Sequence, residues 1–77
     1  MLTFHVAREG QTVEIVCDAR GVAVLLNALA GVMAEGASHR HLFGPAAGGG
    51  RDLDVADPWG EKSVSEVIIT YAEHGER

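Results

Sequence analysis

A change in the spacing of apolar residues limits what this chain can fold into more than any other feature of its sequence. Between Asp18 and Gly36, large apolar residues recur every three or four positions, as on one face of an α-helix. They are Val22, Leu25, Leu26, Leu29, Val32 and Met33. Asp18 stands where a helix N-cap is expected, and Gly36 stands where a helix commonly ends. The sequence therefore predicts one helix of about four turns in this segment.

On both sides of this helix, apolar residues alternate with polar or small ones, which is typical of β-strands. Strands are predicted at 2–7, 13–17, 38–43, 52–55 and 63–72. The first two flank a turn and should form a β-hairpin. The segment 44–50 is predicted to be a loop, because its proline lacks a hydrogen-bond donor and its glycines favour irregular backbone.

The predicted order β-β-α-β-β-β gives an α+β fold, in which one amphipathic helix packs on a mainly antiparallel sheet. A chain of 77 residues should form a single domain, 1–77, with a thin core. The sheet face under the helix is predicted to carry Leu2, Phe4, Val6, Val13, Ile15, Val67, Ile69 and Tyr71. The opposite face would carry His5, Val16 and Ile68, with His39 and His41 as further candidates. No second helix is predicted to cover this face, which makes it a candidate surface for binding or for a symmetric homodimer. Single exposed aliphatic residues are also ordinary on monomers.

Composition narrows the class of protein. Apolar residues make up 47% of the chain, which favours a globular protein over a disordered one. The longest apolar run, 22–26, is far shorter than the ~20 residues that cross a bilayer, and the first residues lack the pattern of a secretory signal. Cys17 is the single cysteine, so an internal disulfide is excluded. We expect a cytoplasmic protein that is not bound to membranes.

The charge of the chain bears on its partners. Eleven acidic and six basic residues give a formal net charge of −5. Such a surface repels the phosphates of nucleic acids and attracts basic proteins. An acidic surface also keeps many proteins soluble without any other role. Nucleic acid is therefore not expected as a partner, and a basic protein is.

Two histidines, His39 and His41, lie two positions apart after the helix. In an extended strand such residues point to the same face. If the strand of His5 lay alongside, three imidazoles could bind zinc or a related ion. Structural zinc sites usually have four protein ligands, often cysteines, and Cys17 is predicted on another face. We therefore expect no metal or other cofactor, and we expect the histidines to make polar contacts.

No arrangement typical of an enzyme is found in the sequence. The glycine run 48–50 is followed neither by Lys-Ser/Thr nor by a predicted helix, so it is not a phosphate-binding loop of the usual kind. Cys17 and His5 are the only candidates for a nucleophile and its base, and the predicted hairpin places them on opposite faces. We expect Cys17 to be a small buried apolar residue and the chain not to be an enzyme.

Several of these segments together resemble the Immunity protein 32 family of bacterial polymorphic toxin systems. The resemblance rests on a helix ending near Glu35-Gly36, then His39-x-His41-Leu42, Pro45, Gly49-Gly50-x-x-Leu53 and the last strand, Val67-Ile68-Ile69-Thr70-Tyr71. It spans about residues 2 to 71. The family has a tryptophan directly before the Gly-Gly pair, whereas this chain has Gly48 there and carries its tryptophan at position 59.

The resemblance implies a stoichiometric inhibitor that binds a cognate toxin domain and blocks it. Such a protein needs a rigid surface of complementary charge and no catalytic groups, and an acidic domain suits a basic toxin. The residues predicted to bind the partner are His39, His41, Arg51, Asp52, Asp54 and Trp59. Trp59 could instead be a lid over the core. The alternative function is a homo-oligomeric small domain that binds a small ligand or a metal through its histidine face.

Overall fold

The computed structural model describes residues 1–34 and 39–72. In chain order, its elements are β1 (Leu2–Ala7), β2 (Thr12–Cys17), α1 (Ala19–Ala34), β3 (His39–Phe43) and β4 (Glu66–Thr70). The α+β class, with one helix beside antiparallel strands, is confirmed. Among the described residues, no helix is long and apolar enough to cross a membrane.

The strands of the described residues form two antiparallel pairs instead of the single sheet predicted. β1 pairs with β2 through the tight turn at residues 8–11, and β3 pairs with β4 across a long connection. Residues 52–55, predicted to be a strand, have bent and irregular backbone instead. The order is therefore β-β-α-β-β, with one strand fewer than predicted.

The edge of β1 that does not pair with β2 explains why residues 52–55 do not form a strand. Asp54 and Val64 donate backbone N–H groups to the carbonyls of Leu2 and Phe4, at 2.9 and 2.8 Å. In return, the Phe4 N–H donates to the Ser63 hydroxyl at 3.0 Å, and the Leu2 N–H donates to the Asp54 carboxylate at 3.3 Å. Side-chain oxygens thus take the place of backbone acceptors, so the edge is satisfied without a regular ladder.

The core lies between the two sheets and α1. Its buried apolar residues are Leu2, Phe4, Ala28, Val32, Leu42 and Leu53, and Val67 and Ile69 pack against it as predicted. Val6, Val13 and Ile15 were predicted to be core residues but are exposed, because burial along the first hairpin is limited to the end that carries Leu2 and Cys17. Tyr71, which follows β4, is also exposed.

The helix begins as predicted. The Asp18 carboxylate accepts the N–H of Gly21 at 2.9 Å, as an N-cap does, and Ala19 is the first helical residue. α1 ends at Ala34, and Gly36 lies outside the described residues. Gly21 is buried where a Cβ would lie 1.8 Å from the Met1 carbonyl oxygen, so only glycine fits there. Of the predicted apolar stripe, Leu25 and Val32 pack inward, whereas the other four residues are exposed.

We expect Asp18→Ala to lower the melting temperature by about 5 °C near neutral pH, because it removes the cap of α1. Hydrogen bonds from the Met1 α-amino group and the Gly21 N–H lower the pKa of Asp18. A carboxylate with a lowered pKa stabilises the fold above its unfolded pKa, and this contribution is lost as pH falls through the folded value. The deficit of the variant should therefore shrink in acid. Thermal melts between pH 7 and 3 measure it, with Asp18→Asn, which keeps a capping oxygen, as the control; an equal deficit at every pH would contradict the assignment.

Candidate functional site

The most exposed large apolar side chain of the described residues belongs to Trp59, at 78% exposure. It lies at the tip of a short hairpin that leaves the body of the protein at Val55 and returns at Ser63, whose N–H donates to the Val55 carbonyl at 2.9 Å. Trp59 had been assigned either to a lid over the core or to an exposed anchor. Its exposure excludes the lid.

Asp57 fixes the backbone of this tip. One carboxylate oxygen, Oδ1, accepts the N–H groups of Trp59 at 2.9 Å and Glu61 at 3.0 Å. The Asp57 N–H donates in turn to the Glu61 carbonyl at 2.9 Å, and Gly60 supplies the positive φ of 89° that closes the turn. Aspartate commonly organises turns in this way. These hydrogen bonds therefore fix the conformation of the tip and, with it, the position of the Trp59 backbone.

The other Asp57 oxygen points inward, to His5. Oδ2 lies 3.3 Å from His5 Nε2, and the exposed fractions of the two side chains are 2% and 8%. The Thr3 hydroxyl is 3.0 Å from the same nitrogen, and Nδ1 donates to the Lys62 carbonyl at 2.8 Å. His5 was predicted on an uncovered face and is instead buried, because the 57–64 segment lies over that side of β1.

The buried group of Thr3, His5 and Asp57 contains the residue types of a catalytic triad but not its geometry. In a triad the nucleophile and the carboxylate contact different ring nitrogens, whereas here both are next to Nε2. The second nitrogen is engaged by a backbone carbonyl, and all three side chains are shielded from solvent. The group holds the hairpin of Trp59 against β1.

A second surface is formed by the outer face of β3 and β4. His39, His41 and Phe43 stand in a row, with ring centroids 4.9 Å apart between the histidines and 5.4 Å apart between His41 and a stacked Phe43. The register places Ile68, which is exposed, opposite His41. The prediction that the two histidines share a face is confirmed.

His41 also has an acidic partner on the neighbouring strand. Its Nδ1 donates to Glu66 Oε2 at 2.6 Å, and both side chains are about one third exposed, at 34% and 37%. Ile68 and Val16, predicted on one open face, lie in different sheets, so they do not form a single surface. The outer face of β3 and β4 therefore carries a row of aromatic rings, the exposed Ile68 and the hydrogen-bonded pair of His41 and Glu66.

The loop after β3 carries three further residues predicted to bind a partner. The Asp52 carboxylate accepts the N–H of Phe43 at 3.0 Å, and the Asp54 carboxylate accepts that of Leu2. Both therefore hold the backbone of the protein itself. Arg51, which precedes Asp52, is exposed. The loop is compact, because the Phe43 carbonyl accepts the N–H groups of residues 52 and 53 at 2.9 and 3.1 Å.

The arrangement of possible metal ligands differs from the one considered in the sequence. His5 belongs to the other sheet and is buried, so it does not join His39 and His41. Within residues 1–34 and 39–72, no three His, Cys, Asp or Glu side chains are grouped to hold a metal ion. Cys17, predicted to be buried, packs against the core but is only half-buried.

A shallow cleft of about 200 Å³ lies between residues 44–46, 54–55 and 62–65. Pockets for small molecules usually measure ~300 Å³ or more, so this cleft is small for a substrate site. The chain matches no protein-family model, no curated protein and no solved structure. The surfaces of the protein are therefore the basis on which its function is proposed.

Proposed function

We propose that this chain is a protein-binding domain that acts in the bacterial cytoplasm as an immunity-type, stoichiometric inhibitor of a cognate toxin. The observation that carries the proposal is the exposed indole of Trp59 on a turn built around the buried Asp57. The resemblance to the Immunity protein 32 family supplies the class of partner and is part of the proposal.

Trp59 has the properties of a binding anchor. Tryptophan is enriched among the residues that dominate the energy of protein interfaces, because its large ring fills a pocket on the partner. Ordering a loop on binding costs free energy, and this cost is small where the loop is already held. Asp57 holds this one through two N–H groups and through its contact with His5. The structure thus favours a role for the turn in binding over a role in packing.

The charge of the chain fits a basic partner. With a net charge of −5, the domain attracts a basic protein from a distance, which raises the rate of association and disfavours acidic competitors. Glu61 and Lys62, which follow the turn of Trp59, are both exposed and carry opposite charges, so the attraction comes from the net charge of the domain. Toxin domains that act on nucleic acids need basic grooves, and an acidic protein with a projecting indole suits such a groove.

The proposal predicts that Trp59→Ala weakens binding of the toxin domain encoded next to this gene by roughly 30- to 100-fold, the usual loss at a dominant interface residue. Isothermal titration with purified toxin domain measures this loss and the one-to-one stoichiometry. Val13→Ala removes another exposed apolar side chain, on the hairpin of β1 and β2, and is the matched control that should bind like the wild type. Trp59→Phe should retain part of the affinity.

Growth assays separate the two parts of the proposal. Cells that produce the toxin should survive with the wild-type chain and lose protection with Trp59→Ala, while circular dichroism shows the variant folded. Full protection by folded Trp59→Ala would exclude the turn from the interface. If the wild-type chain neither binds nor protects against the neighbouring toxin domain, the immunity function is wrong.

A further inference from the structure

The helix α1 is unusually apolar for a helix that lies at the surface. Its sixteen residues include one charged side chain, Arg20, and one amide, Asn27. Surface helices normally have a charged or polar face opposite the apolar one, and a helix that is apolar all round is normally buried. α1 therefore needs a cover on its outer side as well as on its inner side.

The inner and outer sides of α1 are distinct sets of residues. Gly21, Ala28 and Val32 are buried against the rest of the protein. The outer seam consists of Val22, Leu26, Leu29 and Met33, whose exposed fractions are 43%, 60%, 47% and 70%. Their spacing of four, three and four residues is the spacing by which helices pair in coiled coils. Alanines at positions 19, 23, 30 and 34 continue the apolar surface beside the seam.

The segments 35–38 and 73–77 contain few apolar side chains with which to cover the seam. Residues 35–38 and 73–77 have the sequences Glu-Gly-Ala-Ser and Glu-His-Gly-Glu-Arg, with Ala37 as the one apolar side chain. A segment of this composition buries almost no apolar area. By composition, these two segments are poor covers for an apolar seam, and the spacing of the seam itself indicates a suitable partner.

We propose that the outer seam binds a second copy of this chain, with the two α1 helices antiparallel about a twofold axis between Leu26 and Leu29. The spacing of the seam reads the same in both directions. In an antiparallel pair, Leu26 then meets Leu29 of the second copy, and Val22 meets Met33 of the second copy. A small branched residue opposite a long flexible one fills the space at each end of the seam.

The helix dipoles support the antiparallel direction of the pair. Helix C-termini carry partial negative charge and helix N-termini partial positive charge. In the antiparallel pair, each end of one helix therefore lies beside the oppositely charged end of the other. In a parallel pair, helix ends of like partial charge would lie together and repel. α1 contains no acidic residue, so the groups responsible for the net charge of −5 lie outside it.

The size of the seam sets the expected affinity. A helix of sixteen residues is about 24 Å long, so two such helices bury an area near the ~1,000 Å² that a specific interface needs. We expect a dimer with a dissociation constant of about 1–100 μM. Because both copies are acidic, added salt should strengthen the association by screening their repulsion.

Sedimentation equilibrium of the purified chain tests the proposal without any toxin. We expect a concentration-dependent dimer, and Leu26→Glu should raise its dissociation constant by roughly 100-fold, because two carboxylates enter the seam per dimer. Val13→Glu is the control, since it places the same charge on an equally exposed apolar position outside α1. Circular dichroism should show both variants folded. A wild-type chain that remains monomeric up to 1 mM, well above the ~100 μM limit expected, or dissociation by Val13→Glu instead of Leu26→Glu, would overturn the proposal.

Disulfide trapping tests the direction of the helices. In a Cys17→Ala background, a chain with Leu26→Cys mixed with a tagged chain with Leu29→Cys should give the mixed crosslinked dimer under mild oxidation. Crosslinks within each single variant, in place of the mixed product, would indicate parallel helices and overturn the antiparallel arrangement. A seam that binds the toxin domain and leaves the chain monomeric would overturn the dimer itself.

Discussion

Asp57→Ala should lower the free energy of unfolding by about 3 kcal/mol, a large loss for a domain of 77 residues. The substitution removes the acceptor of two backbone N–H groups, from Trp59 and Glu61. It also removes the buried carboxylate beside His5 Nε2. Buried polar groups that lose their partners destabilise the fold by their full cost of desolvation. Urea unfolding followed by circular dichroism measures the loss, and the melting temperature should fall by about 12 °C or more.

Asp54→Ala is the matched control for this experiment. Its carboxylate is exposed and accepts one N–H, at the longer distance of 3.3 Å, so its loss should be below about 1 kcal/mol. Asp57→Asn, which keeps an oxygen for the turn and lacks the charge, should fall between the two. Equal stabilities of Asp57→Ala and Asp54→Ala would show that the contact between Asp57 and His5 does not hold the hairpin.

The local signals of the sequence were sufficient for most elements of the fold. Asp18 and the residues after it predicted the start of α1, because an N-cap is read from a few neighbouring positions. The shared face of His39 and His41 followed from the period of a strand alone. The core residues Leu2 and Phe4 were also correct, since they lie at the end of the hairpin on which other residues pack.

The errors have a common physical origin in contacts between distant parts of the chain. His5 was predicted on an open face because nothing near it in the sequence indicates that residues 57–64 lie over β1. The missing strand at 52–55 has the same cause, since the edge of β1 is satisfied by the side chains of Asp54 and Ser63. Alternation alone does not distinguish a strand from a loop that is held by such bonds.

In the candidate site, too, some features were predicted from the local sequence and others depend on contacts between distant residues. Trp59 was among the residues predicted to bind a partner, but its support by Asp57 was not anticipated, although Asp-Pro-x-Gly is a sequence typical of a turn. The apolar residues of α1 were treated as one stripe facing the sheet. In three dimensions they cover more of the helix than the sheet can bury, and four of them are exposed.

Gly50→Ala should destabilise the protein by about 3 kcal/mol, which tests why the chain carries glycine at position 50, three residues before Leu53. A Cβ at position 50 would lie 2.3 Å from Phe43 Cβ and 2.6 Å from its carbonyl carbon and oxygen. These atoms belong to or adjoin the backbone of β3, so a change of rotamer does not relieve the overlap. The loop would have to move away from Phe43.

Such a movement would break the bonds that close the loop. The Gly50 N–H donates to the Gly44 carbonyl at 3.1 Å, and the N–H of Leu53 donates to the carbonyl of Phe43 at 3.1 Å. Leu53, which is 2% exposed, would be drawn out of the core with them. The expected result is a fall in melting temperature of about 12 °C or more, measured by circular dichroism or scanning calorimetry.

Gly49→Ala is the control, because its loss of stability would have a different physical cause. Gly49 has a positive φ of 79° and open space around it, so alanine there meets only the backbone strain of the left-handed region, about 1 kcal/mol. If both variants lose the same stability, the close approach to Phe43 does not determine the residue at position 50. A much larger loss for Gly50→Ala would mean that the Gly-Gly-x-x-Leu segment is required by the packing of this loop, whichever partner the protein binds.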